Sequence, residues 1–163
     1  MLMATLIIVS IISAEQPAVE FRCDALKVDS EPGQSSCTGN VVVVRGPVLM
    51  CCDHFEAKAD KDWQWESFTC SGNVRAQRFT ESVWADRATF LFDKSLITLH
   101  GNPILRRGRS LMTGTRVQID LKNDQAQVVS PRGKIAKDVD APKPLNKTPR
   151  LVIECPISAR PSF

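Results

Sequence analysis

The feature that most constrains this chain is a phrase it repeats three times: Cys37-Thr-Gly-Asn-Val-Val-Val-Val-Arg-Gly46, Cys70-Ser-Gly-Asn-Val-Arg-Ala-Gln77 and Leu99-His-Gly-Asn-Pro-Ile-Leu-Arg106. Glycine and asparagine accept positive φ more readily than other residues, so each Gly-Asn marks a point where one extended run turns or bends into the next. Each phrase has a second half. Cys52 to Asp60, Ala85 to Asp93 and Gly114 to Asp120 are alternating runs that close on aspartate, and Cys23 to Asp29 reads as a shortened earlier copy. The closing aspartates Asp29, Asp60, Asp93 and Asp120 recur at a spacing of about 30 residues, which falls in the range of stacked supersecondary units.

Within each unit the alternation has the period of a strand, because successive side chains of extended backbone point to opposite faces. Aligned on their closing aspartates, one parity carries Phe55, Ala57 and Ala59, then Ala88, Phe90 and Phe92, then Val117, Ile119 and Leu121. The Gly-Asn strands place Val41 and Val43, Val74 and Ala76, and Pro103 and Leu105 on one face. The strands leading into Gly-Asn add Phe68 and Cys70, Ile97 and Leu99, and Val129. These faces predict one shared apolar interior. A helix from Glu81 to Leu96 competes, since Val83, Trp84, Ala88 and Leu91 have roughly helical spacing. The corresponding stretch Thr113 to Leu121 is a β-branched, period-two strand, and repeats share a structure, so strand is the expectation for both.

The chain of 163 residues predicts one domain. Its net charge of +3 comes from basic residues scattered among acidic ones, which is no footprint for nucleic acid. Residues 1–14 form an apolar run ending in Ser13-Ala14 that is short for a bilayer span of about 20 residues and has the length of a signal-peptide core. Cleavage after Ala14 and delivery outside the cytoplasm is the expectation, with an uncleaved inner-membrane anchor as the other reading. Residues 19–135 carry the repeat. Lys134 to Arg150 is rich in Lys, Pro and Asp with little periodicity, so residues 136–163 read as a basic, Pro-rich mobile tail, with Leu151 to Cys155 a candidate short strand.

No residue pattern points to catalysis. There is no Gly-x-Ser-x-Gly, no phosphate-binding loop, and only two histidines, His54 and His100. Cys51-Cys-Asp-His54 contains metal-ligating residue types, but neighbours on a strand point to opposite faces and do not converge on one ion, so no metal or other cofactor is expected. Asp24, Asp53 and Asp86 recur with the repeat, which favours turn and edge roles over a special acid/base pair. Arg106, Arg107 and Arg109 sit on a turn where they could grip a phosphate, though a solvated loop is the plainer reading. Cys37 and Cys70 occupy like positions in successive units, as do Cys23 and Cys52. If like positions stack within about 7 Å, Cys37–Cys70 is a candidate disulfide; otherwise both are small buried hydrophobes.

The unit of Gly-Asn-Val, a turn and an alternating strand closed by Asp resembles the OstA-like domain of the LptA family of lipopolysaccharide-transport proteins. The resemblance runs from about Phe21 to Ile135 and is strongest at Ser71-Gly-Asn-Val74 with Trp84-Ala-Asp86 and Phe92-Asp93, followed by His100-Gly-Asn-Pro103. It implies an all-β jellyroll, open at both ends, in the periplasm; this chain carries about four two-strand units, fewer than a longer stack. In that reading Val41, Val43, Phe55, Ala57, Phe68, Val74, Ala76, Ala88, Phe90, Phe92, Ile97, Leu99, Leu105, Val117, Ile119 and Leu121 line an interior that holds the acyl chains of lipid A. The edge strands would join it to an inner-membrane transport complex, an outer-membrane translocon and further copies of itself. The alternative is a structural β-solenoid that polymerises through its edges around a filled core and binds no lipid.

Overall fold

The computed structural model describes residues 17–29, 33–135, 144–145 and 149–161. The expected leader, at residues 1–14, lies outside them. Among the described residues the chain forms strands β1 (Val19–Arg22), β2 (Ala25–Val28), β3 (Gln34–Arg45), β4 (Val48–Ala59), β5 (Trp65–Arg78), β6 (Glu81–Leu91), β7 (Leu96–His100), β8 (Ile104–Arg107), β9 (Ser110–Thr113), β10 (Arg116–Asp120), β11 (Gln125–Val129) and β12 (Arg132–Ile135). The stretch where helical spacing competes is therefore strand β6, followed by a turn and β7. No described helix is long and apolar enough to cross a membrane.

All strand pairs are antiparallel, and the pattern follows from sequence neighbours folding back on one another. Strands β3, β4, β5 and β6 pair in succession, and each is long enough to serve two layers. Register shifts between Thr38 and Val41, Cys51 and His54, and Ser71 and Val74 break the long strands near their middles. On one side of the break the halves continue into β7, β10 and β11; on the other they continue into β8, β9 and β12. β2 extends the first layer and β1 the second, both by pairing with β3. The sheet is thus folded over on itself into an open jellyroll.

The fold line is where the repeated Gly-Asn sits. At Gly72 the backbone has φ +77°, and a Cβ there would lie 2.7 Å from Asp53 Oδ2, so both the conformation and the close approach demand glycine. Asn73 follows at φ 46° and its Nδ2 donates to Asp53 Oδ2 at 2.8 Å. The same bracket recurs with Asn40 on Asp24 at 2.9 Å and Asn102 on Asp86 at 3.5 Å. Asparagine tolerates the left-handed region, and its amide satisfies the aspartate that the glycine lets approach. The recurring aspartates are structural clamps of the fold line.

Two apolar clusters result. The inner one lies between the layers and contains Val41, Val43, Phe55, Ala57, Phe68, Val74, Ala76, Ala88, Phe90, Ile97, Leu99, Leu105, Val117 and Ile119, with Phe92 and Leu121 partly buried against it. Val128, not Val129, joins it from β11, because Val128 is the residue opposite inward-facing Val117. The outer cluster was not anticipated. Val42, Val44, Leu49, Cys51, Trp84, Ile104 and Leu111 cover the outside of the second layer and are buried beneath Leu145, Leu151, Val152, Cys155 and Ile157.

The reading of residues 136–163 as a mobile tail therefore needs correction where they are described. Residues 136–143, 146–148 and 162–163 lie outside the described set. Residues 149–161 form no strand but lie across the second layer. Cys155 is bonded to Cys51, Ile157 is 3% exposed, Arg75 and Trp84 donate to the carbonyls of Ile157 and Ser158, and Arg160 meets Asp86 at 2.9 Å. Lysine and proline content argued for disorder, but the apolar face left on the second layer supplies a site that composition does not report.

Candidate functional site

The cysteines fix the frame of the interior, in a pairing the sequence did not yield. Cys37 bonds Cys23 and Cys70 bonds Cys52, so the candidate Cys37–Cys70 bridge does not form, and neither cysteine is a free buried hydrophobe. The reason is strand order. Cys37 pairs opposite Phe55, and Phe55 pairs opposite Cys70, so a whole strand separates the like positions of successive units. Neighbouring strands lie about 4.8 Å apart, which puts next-nearest strands roughly 10 Å apart and beyond disulfide reach. Each real bridge instead joins the Cys before a clamp aspartate to the Cys before its Gly-Asn, with Cα separations of 5.7 and 5.8 Å.

Cys51-Cys-Asp-His54 shows how far strand alternation scatters adjacent residues. Cys51 points outward to Cys155, Cys52 inward to Cys70, and Asp53 accepts from Asn73. His54 lies between Thr38 Oγ1 and Glu56 Oε1, each at 3.1 Å. The four side chains have four separate sets of partners. Of the arginines on the β8–β9 turn, Arg107 is engaged by Glu81 at 2.6 Å.

The residues expected on the inward faces do come together, and their most continuous feature is a file of aromatic rings. Phe21, Phe55, Phe68 and Phe90 follow one another at centroid separations of 5.8, 5.4 and 5.1 Å, and Phe92 sits edge-on to Phe90 at 4.9 Å. Such offset and edge contacts suit the ring quadrupole. Arg45, from the β3–β4 turn of the second layer, holds its guanidinium 4.6 Å from the centroid of Phe90 and 5.4 Å from that of Phe92 in the first layer. Burial lowers its pKa, yet a guanidinium keeps its charge at neutral pH, so it bridges the layers by a cation–π contact. Arg78 and Asp124 form a second tie between the turns of the two layers.

The interior is nearly filled where the layers meet. A cavity of about 40 Å³ opens at the β1/β2 end, lined by Val19, Phe21, Leu26, Phe55, Trp65 and Phe92 among others. A smaller one of about 20 Å³ lies between the layers near Val83, Ile97, Ile119 and Leu121. Space of this size holds only a few waters, at roughly 10–15 Å³ of accessible volume each. The first mouth is nevertheless apolar and poorly covered: Phe21, Leu26 and Trp65 are 37, 54 and 44% exposed. Phe21 and Leu26 are exposed because β1 and β2 each pair on one side only, and β11 and β12 do the same at the other end.

Outside that mouth, and sharing Trp65 as a wall, lies an open recess of about 520 Å³ of mixed lining, in which Leu91 lies among Lys58, Asp60, Gln64, Glu66, Asp93 and Lys94. The β4–β5 turn builds it. Asp60 Oδ1 accepts from the backbone N–H of Asp62 at 2.8 Å and of Gln64 at 2.9 Å, which fixes the turn from which Trp65 begins β5. Trp65, Phe21, Leu26 and Arg45 were not singled out from the sequence. The signal for Trp65 was available, since two tryptophans, Trp63 and Trp65, stand in an otherwise polar turn.

No group of three or more His, Cys, Asp or Glu side chains able to hold a metal ion occurs among the described residues. What the arrangement offers is apolar area with a polar border.

The model of one protein family, described as LptA/(LptD N-terminal domain) LPS transport protein, matches residues 20–125, more than half of the chain. Among solved structures, the chain is similar to LptH of Pseudomonas aeruginosa, the LptA-homologous periplasmic component of the lipopolysaccharide transport device. The TM-score is 0.64 at 15% identity, covering 78% of this chain and 91% of LptH, a likeness of fold. No curated protein sequence matches the chain.

Proposed function

The chain belongs to the LptA/(LptD N-terminal domain) family of LPS transport proteins, a family of transport components rather than enzymes, and from that premise we propose that it is a periplasmic lipopolysaccharide carrier. In this reading the acyl chains of lipid A lie between the two layers, and the protein relays them towards the outer membrane. The observation that carries it is the apolar interior that reaches the surface at the exposed mouth of Phe21, Leu26 and Trp65. Each CH₂ buried there contributes about 0.8 kcal/mol, so a saturated chain is held by area without any catalytic group.

A cavity of about 40 Å³ is too small for a chain, so entry separates the layers locally. The ties that resist separation lie on the side opposite the fold line, at Arg45 over Phe90 and at Arg78 with Asp124. Partners add strands at the unpaired edges of β1 and β2 and of β11 and β12: the inner-membrane complex and the outer-membrane translocon, or another copy of the chain. Three disulfides suit an oxidising compartment, which supports the periplasm.

The near-filled interior is the one observation that favours the rival reading, a lipid-free scaffold that polymerises through its edges. Photo-crosslinking in lipopolysaccharide-producing cells separates the two. A photoreactive residue at Phe90 or Val117, both buried between the layers, captures lipopolysaccharide if the protein is a carrier. A folded periplasmic protein that captures none from either position is the scaffold.

A further inference from the structure

Trp65 belongs to two surfaces of different character. One is the almost wholly apolar mouth with Phe21, Leu26 and Phe92; the other is the mixed recess in which Leu91 lies among Lys58, Asp60, Gln64, Asp93 and Lys94. A ligand with an apolar chain and a polar head, entering the mouth by its chain, brings its head to that recess. We propose that the recess is a sugar subsite, in which a pyranose ring of the glycolipid headgroup stacks on Trp65 while its hydroxyls meet the surrounding side chains. The inference rests on the carrier reading and names which part of the ligand the protein recognises by shape.

Three features select a neutral sugar over a phosphate. The indole is 44% exposed, and an aromatic face matches the C–H face of a pyranose ring. The edge mixes Asp and Gln acceptors with Lys and Gln donors, the complement of hydroxyls that both donate and accept. The lining carboxylates Asp60, Glu66 and Asp93 outnumber Lys58 and Lys94, and Lys58 is already paired with Glu66 at 3.5 Å. A phosphate would meet net negative charge there. The turn is held by Asp60, so the platform exists before a ligand arrives and little ordering is required on binding.

The test uses the oxidised, full-length protein and two probes with the same 12-carbon chain, n-dodecyl-β-maltoside and dodecylphosphocholine, with lipid A as a third, all read by calorimetry. Wild type is expected to prefer the maltoside. Trp65→Leu keeps the apolar wall of the mouth and removes the aromatic face. It should weaken the maltoside about tenfold more than it weakens dodecylphosphocholine, the scale of losing one aromatic anchor, since both probes share whatever the mouth loses. Trp65→Phe should retain most of the preference. Trp63→Ala, two residues away and lining neither surface, should match wild type. If Trp65→Leu weakens both dodecyl probes equally, or Trp63→Ala has the same effect, Trp65 is only a wall and the sugar subsite is wrong while the carrier stands. If wild type binds none of the three probes, the carrier reading falls and the subsite with it.

Discussion

The three Gly-Asn corners are the same device built with two different fillings. At the first and second, the residue before the clamp aspartate and the first residue of the Gly-Asn phrase are bonded cysteines, Cys23 with Cys37 and Cys52 with Cys70. At the third the same positions are Ala85 and Leu99, both fully buried. The third corner has a looser Asn–Asp contact, 3.5 Å against 2.9 and 2.8 Å, and its aspartate also holds Arg160 of the C-terminal segment. A covalent bond is thus one way to fill the corner, and close packing beneath an overlying strap is another. The glycine and the aspartate are what all three keep.

If the corner depends on glycine first, Gly72→Val should have the largest effect, at least about 4 kcal/mol in urea unfolding. It combines a β-branched side chain at positive φ with a clash against Asp53. Making the second corner like the third, with Cys52→Ala and Cys70→Leu together, should cost less, about 3 kcal/mol, from loss of a cross-link spanning 18 residues. The jellyroll should survive, and an unchanged far-UV spectrum checks that. A double variant that cannot fold would show the two fillings are not equivalent.

Asp53→Ala leaves Asn73 without its acceptor and should lower stability by about 1 kcal/mol. The contrast at the third corner is sharper in protease sensitivity than in stability. Asp86→Ala also frees Arg160, so nicking of residues 149–161 by a protease of broad specificity should accelerate while the strands stay protected. Least of all is the difference between Asn102→Ala and Asn73→Ala. Both put alanine at positive φ, so the pair isolates the amide contact. Asn102→Ala, which gives up one of 3.5 Å, should cost about 0.5 kcal/mol less; equal losses would mean the corners are alike after all.

The repeat made much of this legible. Phe55, Phe68, Phe90 and Val117 could be placed on one interior because strand alternation is a local property of extended backbone. The apolar side chains that close the mouth were harder to see. Phe21 and Leu26 gain their role from β1 and β2 being edge strands, and edge position is a matter of strand order. The outer cluster had a signal that alternation obscures: Val41 to Val44 is an unbroken apolar run, and such runs belong to strands covered on both faces.

By itself, then, the sequence determined the all-β repeat, the inward faces and the family, because each depends on the order of residues along a strand or unit. The tertiary structure decided which cysteines meet, where the C-terminal segment lies and how little space the interior keeps. Those depend on distances between strands remote in sequence. Phe55 stands between Cys37 and Cys70 only once β4 has been laid between β3 and β5. Likewise, Ile157 finds its burial only on a face that residues more than 40 positions earlier have assembled.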